Sequence, residues 1–163
     1  MKSHLIIVES PSKIKTLKKF LDKKYEVEAS VGHIRDLPKS KLGIDVDKDF
    51  SAEYQVSTGS TKTVQALKKA LKNAEELYIA TDPDREGEAI AWHIVDELKP
   101  KIPVKRLVFN EITKTAILNS FKKTREIDAN LVDAQETRRF LDRLFGFMVS
   151  EKMWRNMKSG VSA

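Results

Sequence analysis

The chain has 163 residues, enough for one domain of ordinary size, or a domain and the start of another, with a full core. It contains no cysteine, which excludes disulfides and thiolate-held metals within these residues. Thirty Lys and Arg against 24 Asp and Glu leave a net charge of +6, so a polyanion is a better partner than a basic one, though the excess is moderate.

Leu5 to Val8 is the first predicted strand and the longest aliphatic run, far short of the ~20 residues of a membrane helix. Ser10-Pro11 opens a helix in which Ile14, Leu17 and Leu21 form the apolar stripe and lysines the other face. Val27, Ala29 and Val31 alternate with Glu26, Glu28 and Ser30 as a half-buried strand ending at Gly32. Residues 35–60 read mostly as loop, with one short extended piece at Tyr54 to Val56. Val64, Leu67 and Leu71 mark the next helix, Leu77 to Ala80 a strand, and Ile90, Ile94 and Leu98 another helix. Val104 to Phe109 is the last strand, and Thr113 caps a helix carrying Ala116, Ile117 and Phe121. Lys122 to Glu126 is a charged break, and from Asp128 onward Leu131, Gln135, Arg138, Leu141, Leu144, Phe145 and Met148 keep helical spacing. Strands alternating with helices predict a layered α/β domain with a parallel sheet. With no cleavable signal after the start, the setting is expected to be cytoplasmic and reducing, without a membrane partner.

Residues 82–97 hold six acids and one arginine, a net of −5 inside a basic protein. The plain structural account is that Asp82 or Asp84 caps the following helix while Glu86 and Glu88 complement its positive end. That account uses only part of the charge, because four carboxylates within seven residues repel one another. Asp82, Asp84 and Glu86 project to one side while the backbone is extended, and Glu88 shares the face of Asp84 once a helix begins. Hard oxygen donors without thiolates favour Mg²⁺, a usual companion of phosphate chemistry.

Glu9 ends the first strand. In a parallel sheet the carboxyl ends of all strands share one edge, so Glu9 and the 82–88 cluster are expected to converge there. A solvated acid beside a helix start is the alternative for Glu9. Lys13, in the first turn of that helix, is badly placed for the helix dipole but well placed for a phosphate oxygen.

Five segments occur in order: Val-Glu-Ser-Pro-Ser-Lys at 8–13, Gly-His-Ile-Arg-Asp-Leu-Pro at 32–38, Asp-Pro-Asp-Arg-Glu-Gly-Glu-Ala-Ile-Ala-Trp-His at 82–93, Phe-Asn-Glu-Ile-Thr at 109–113 and Arg-Arg-Phe-Leu-Asp-Arg-Leu at 138–144. Together they resemble the type IA DNA topoisomerases of bacteria, the topoisomerase I branch. The acidic strand end followed by Asp-x-Asp-x-Glu is shared by the wider Toprim superfamily, which includes primases and some nucleases. The resemblance implies a Rossmann-like Toprim sheet flanked by helices over residues 1–124. Residues 125–163 would then be the first helical segment of a following DNA-binding domain, truncated at 163 inside a motif.

It further implies that Glu9, Asp82, Asp84 and Glu86 hold Mg²⁺ and arrange the scissile phosphate, with Glu9 acting as acid and then base at the departing 3′ oxygen. Lys13 would steady the phosphate charge. His33, Arg138, Arg139, Asp142, Phe147, Trp154, Ser162 and Ala163 fall at positions that contact DNA in the family, with Phe147 replacing an expected tyrosine. The implied activity is relaxation of negatively supercoiled DNA, without ATP, by a monomer in the bacterial cytoplasm, associated with the nucleoid. Cleavage would pass through a 5′-phosphotyrosine. Tyr25, Tyr54 and Tyr78 match no nucleophile motif, so the nucleophile is expected outside this chain and the chain alone is expected to be inactive.

Residues 11–24 carry six lysines and one aspartate, a run that reads first as a solvated helix face. Arg138, Arg139, Arg143 and Arg155 interleave with Phe140, Phe145, Phe147 and Trp154, which suits a single-strand groove, and equally an amphipathic helix packing its aromatics inward. Trp92 and His93 read as packing and helix surface. The competing functions are a Mg²⁺-dependent Toprim nuclease or primase-like enzyme complete in itself, and a non-enzymatic nucleic-acid module with structural carboxylates.

Overall fold

A computed structural model describes residues 3–156. In chain order the elements are β1 (Ser3–Val8), α1 (Pro11–Phe20), β2 (Tyr25–Ala29), the short strands β3 (Arg35–Asp36), β4 (Ile44–Asp45), β5 (Ser51–Ala52) and β6 (Gln55–Val56), α2 (Thr61–Leu71), β7 (Ala74–Ile79), α3 (Arg85–Leu98), β8 (Val104–Arg106), α4 (Lys114–Lys122) and α5 (Ala129–Asn156). Ser162 and Ala163 lie outside the described residues, and for Trp154 only the helical backbone is described. No helix among the described residues is long and apolar enough to cross a membrane.

Four strands form a parallel sheet in the order β2-β1-β7-β8, with Ile6 opposite both Val27 and Tyr78. Period-two alternation divides β1 between two cores. Leu5 and Ile7 join Leu77, Ile79, Val64, Leu67, Ile90 and Ile94 beneath α2 and α3. Ile6 and Val8 join Tyr78, Val27, Leu17 and Ile117 beneath α1 and α4. The carboxyl-terminal halves of both central strands, Leu5 to Val8 and Leu77 to Ile79, are therefore buried and largely apolar, as burial on two faces requires.

Two expectations fail locally, and a third needs refinement. The second strand stops at Ala29: Ser30 turns inward and is fully buried, while Val31 takes a left-handed φ of 58° and is 61% exposed. Gly32 repeats the left-handed turn at φ 78°, and its N–H donates to the Glu9 carbonyl at 2.9 Å, so the bend is fastened to the end of β1. The last strand ends at Arg106 rather than Phe109, and the outer backbone of Arg106 pairs with Arg125 at 2.8 and 3.2 Å. The 35–60 stretch is mostly loop, as expected, but in place of one extended piece it carries four two-residue strands: β3 pairs antiparallel with β6 and β4 with β5.

α5 is one continuous helix of 28 residues packed along α3, with Val132 buried. Its inward-packing account fails farther along, where Leu141, Phe145 and Met148 are 62%, 70% and 61% exposed.

Candidate active-site cleft

β1 and β7 deliver their carboxyl ends side by side, and each is followed at once by a helix. At the first crossing Ser10 caps α1, its Oγ accepting from the Ser12 N–H, and Pro11 takes the first helical position. At the second, Asp84 caps α3, its Oδ1 accepting from the Gly87 N–H at 2.7 Å. Gly87 is obligatory there: a Cβ would come within 2.0 Å of the Asp82 carbonyl oxygen, so only glycine lets the first turn of α3 press against the end of β7.

Glu9 and Asp82, far apart in sequence, meet through Lys13. Its Nζ donates to Glu9 Oε1 at 2.8 Å and also to Asp82 Oδ1. Burial, then the neighbouring Asp82, raises the Glu9 carboxyl above its usual range despite the lysine. Asp82 moves the opposite way: hydrogen bonding with Glu9, then Lys13, outweighs its own burial and holds it low. Of the two, Glu9 therefore holds a proton more readily than Asp82.

Glu9, Asp82, Asp84 and Glu86 line one cleft of about 420 Å³, walled by Ser10, Pro11, Val31 and Gly32. Asp84 and Glu86 also border a second cleft of about 630 Å³, with His33, Asp36, Arg138, Arg139 and Asp142 on its walls. His33 Nε2 lies 3.6 Å from Glu86 Oε1. Arg139 grips Asp36, its NH2 2.7 Å from each carboxylate oxygen, and Arg143 donates to the Pro38 carbonyl at 2.8 Å, pinning α5 to the β3 region. Phe147 lies under the Arg143 guanidinium at 5.4 Å and borders neither cleft.

Among the described residues no three acids or histidines stand close enough to hold an ion together, since Lys13 fills the space between Glu9 and Asp82 and Asp84 is bound into its cap. The donor chemistry still fits Mg²⁺. All four groups are oxygen ligands, Asp82 and Glu86 are 49% and 64% exposed, and Mg²⁺ takes only one or two carboxylates beside its waters.

Two groups of residues escaped the sequence reading. Glu88 points away from the cleft and is fully buried, held by Arg106 Nε at 2.8 Å, Arg125 NH2 at 2.6 Å and the Asp128 N–H at 2.9 Å. Burial alone would raise its carboxyl, but these three partners hold it low. Arg106 also donates to the carbonyls of Ile79, Thr81, Asp82 and Leu107 at 2.8–3.0 Å, closing the ends of β7 and β8. Behind the larger cleft, His93 is buried rather than on the helix surface. Its Nδ1 accepts from Arg35 at 3.2–3.3 Å, and its Nε2 lies 3.4 Å from Glu136 Oε1. Burial lowers His93 to about 3 and raises Glu136 to about 7, and Glu136 Oε2 is buried without a partner. No periodicity signals Glu136. Arg35 and Asp36 at least sit inside the Gly-His-Ile-Arg-Asp-Leu-Pro segment.

Comparison with known proteins places this geometry. Residues 4–112 match the Toprim domain family. The chain is 52% identical, over 98% of its length, to DNA topoisomerase 1 of Streptomyces coelicolor, of which it spans 18%. Full-length topoisomerase I of Thermotoga maritima superposes with a TM-score of 0.87 at 52% identity, over 98% of this chain and 27% of that one.

Proposed function

The chain belongs to the Toprim family, and from there we propose that it supplies the metal- and phosphate-handling part of a type IA DNA topoisomerase. The observation that carries this reading is the Glu9–Lys13–Asp82 unit at the edge of the sheet, opening beside Asp84 and Glu86 into a cleft flanked by Arg138 and Arg139. Residues 1–124 are the Toprim part, and residues from 125 begin the DNA-binding domain that follows it.

Glu9 holds the proton that a departing 3′ oxygen needs and takes it back on religation, which its raised carboxyl supports. Lys13 then stands where phosphate charge develops, with a cation already oriented by two acids. Asp82, Asp84 and Glu86 are the residues to hold Mg²⁺, which when bound draws negative charge from the phosphate. His33, Arg138, Arg139 and Asp142 line the path of a single strand into the cleft, and the family resemblance adds Phe147, Trp154, Ser162 and Ala163 as further DNA contacts. The nucleophilic tyrosine is expected outside these residues: Tyr78 donates its hydroxyl to Glu76 at 2.6 Å, Tyr25 packs against Phe121, and Tyr54, at the larger cleft, packs its ring edge-on against Trp92 and His93 and matches no nucleophile motif.

Plasmid relaxation by the complete enzyme, with and without Asp82→Asn plus Asp84→Asn, tests the assignment. Loss of relaxation with retained folding is expected, and an undiminished rate overturns it. Calorimetry on the 163-residue chain is expected to lose its Mg²⁺ signal in the same variant. If the chain alone cuts or extends DNA with Mg²⁺, the nuclease or primase reading replaces this one.

A further inference from the structure

The two layers of helices differ in charge. On the face covered by α1 and α4, Lys15, Lys18, Lys19, Lys23 and Lys24 are exposed on α1 and the turn after it, with Asp22 the single acid among residues 11–24. α4 and its cap add exposed Lys114, Lys122 and Lys123 and no acid. None of these lysines forms an ion pair among the described residues, whereas Lys13, Lys41, Lys68 and Lys105 elsewhere each have a carboxylate. The acids of β2 do not soften the face, because Val27 and Ala29 point to it and Glu26 and Glu28 alternate away. Complementing the helix dipoles accounts for Lys18, Lys19 and Lys122 in the last turns, but not for the other five.

The lysines form a patch broad in two directions. Lys15, Lys18 and Lys19 share the outer side of α1, opposite buried Leu17, on a helix about 15 Å long. The far ends of the two helices meet: Phe121 of α4 lies 5.1 Å from Tyr25, whose ring also lies 5.1 Å from Lys24 Nζ. That junction is at the edge of the sheet opposite the acidic cleft, since α1 runs back from the carboxyl end of β1 to the amino end of β2.

We propose that the α1–α4 face binds the phosphate backbone of duplex DNA, as a surface separate from the single-strand path beside α5. The chemistry of the two surfaces supports the division. α5 offers arginines beside exposed Phe145 and Phe147, the equipment for splayed bases, whereas the α1–α4 face offers ammonium groups and no exposed aromatic, with Leu118 its one exposed large apolar side chain and Phe20 and Phe121 turned into the core. Lysine point charges over a wide patch match a double row of phosphates and read no sequence.

This inference shares a ligand with the proposed function and depends on it no further. The test is an anisotropy titration of the 163-residue chain over a series of salt concentrations, using a labelled duplex and a single strand of the same sequence. Changing Lys18, Lys19, Lys23 and Lys122 together to Gln is expected to weaken duplex binding about tenfold and to flatten its log–log salt slope by about 3 to 4, leaving the single strand within about twofold. Arginine at the same four positions is expected to restore the slope. Arg138→Gln is expected to do the converse, weakening the single strand more than the duplex. The proposal is overturned if the wild-type chain does not bind duplex, if its salt slope is unchanged in the glutamine variant, or if both ligands weaken equally. It is also overturned if the variant loses binding only to phosphatidylserine-containing vesicles, which would assign the face to a membrane. Failed relaxation by the complete enzyme with this duplex result intact would strike the proposed function and leave the lysine face standing.

Discussion

Glu86 and Glu88 sit two residues apart in one helical turn and live in opposite worlds. Glu86 belongs to the mouth of the cleft, 64% exposed, with the His33 imidazole 3.6 Å away. Glu88 belongs to the floor behind it, fully buried between two arginines and a backbone N–H. The mouth leaves Glu86 under-partnered, so it remains available to a ligand. The floor satisfies its carboxylate completely, so it cannot move. Rigidity behind and unmet charge in front are what a preorganised site needs.

The floor is the place to break this contrast with the largest effect. Arg106→Ala or Glu88→Ala is expected to cost about 3–5 kcal/mol, because each removes the buried charge partner of the other, and urea denaturation of the purified chain measures it. A loss below 1 kcal/mol would mean that the floor does not depend on the pair. The acid arm of the same experiment has a definite sign. Since Glu88 is held below its ordinary 4.5, its contribution is complete above that pH and is lost as pH falls through the lowered value.

Gly87→Ala attacks the joint between floor and mouth. A methyl group there meets the Asp82 carbonyl, so a destabilisation of about 1–3 kcal/mol is expected. Weaker Mg²⁺ binding by calorimetry should accompany it, since Asp82 must shift.

Glu136 is the intermediate case, with one oxygen near His93 and the other buried alone. Its carboxyl rises from an ordinary 4.5 to about 7, so the folded state binds the extra proton and stability falls as pH climbs through that range. His93 acts oppositely: pushed from 6.5 to about 3, it makes stability rise with pH over that interval. Between 4.5 and 6.5 the two offset each other. Glu136→Gln removes one side, so the variant should gain about 1–2 kcal/mol at pH 8 and show a rising stability profile below 6.5 where the parent is flat. Parallel profiles for parent and variant would show that Glu136 is already ionised. The smallest effect belongs to the mouth itself: Glu86→Gln should change stability by less than about 0.5 kcal/mol while reducing Mg²⁺ affinity.

These contrasts mark what a sequence reveals. The sheet, its parallel sense and the meeting of Glu9 with Asp82 were legible, because apolar runs alternating with helical stripes permit few arrangements and a parallel sheet collects its carboxyl ends on one edge. The inward turn of Glu88 was not. Within the acidic run it is chemically indistinguishable from Glu86, and what separates them is Arg106 and Arg125, 18 and 37 residues away. Val31 misled for a similar reason: it continued the alternation, but the tie between the Gly32 N–H and the Glu9 carbonyl overrides a β-branched residue's preference. The 35–60 pairs were hidden because two-residue strands leave no period to detect.

The Arg106–Glu88–Arg125 cluster also restricts how this fold can diverge. Removing Arg106 or Glu88 alone takes a buried charge from its fully buried partner, so the route to an uncharged floor runs through a destabilised intermediate, although the destination need not be unstable. Replacing Arg106 and Glu88 together by apolar residues should therefore cost less than either change alone. The acids at the mouth face no such barrier and can be exchanged one at a time, with folding left largely indifferent to the outcome.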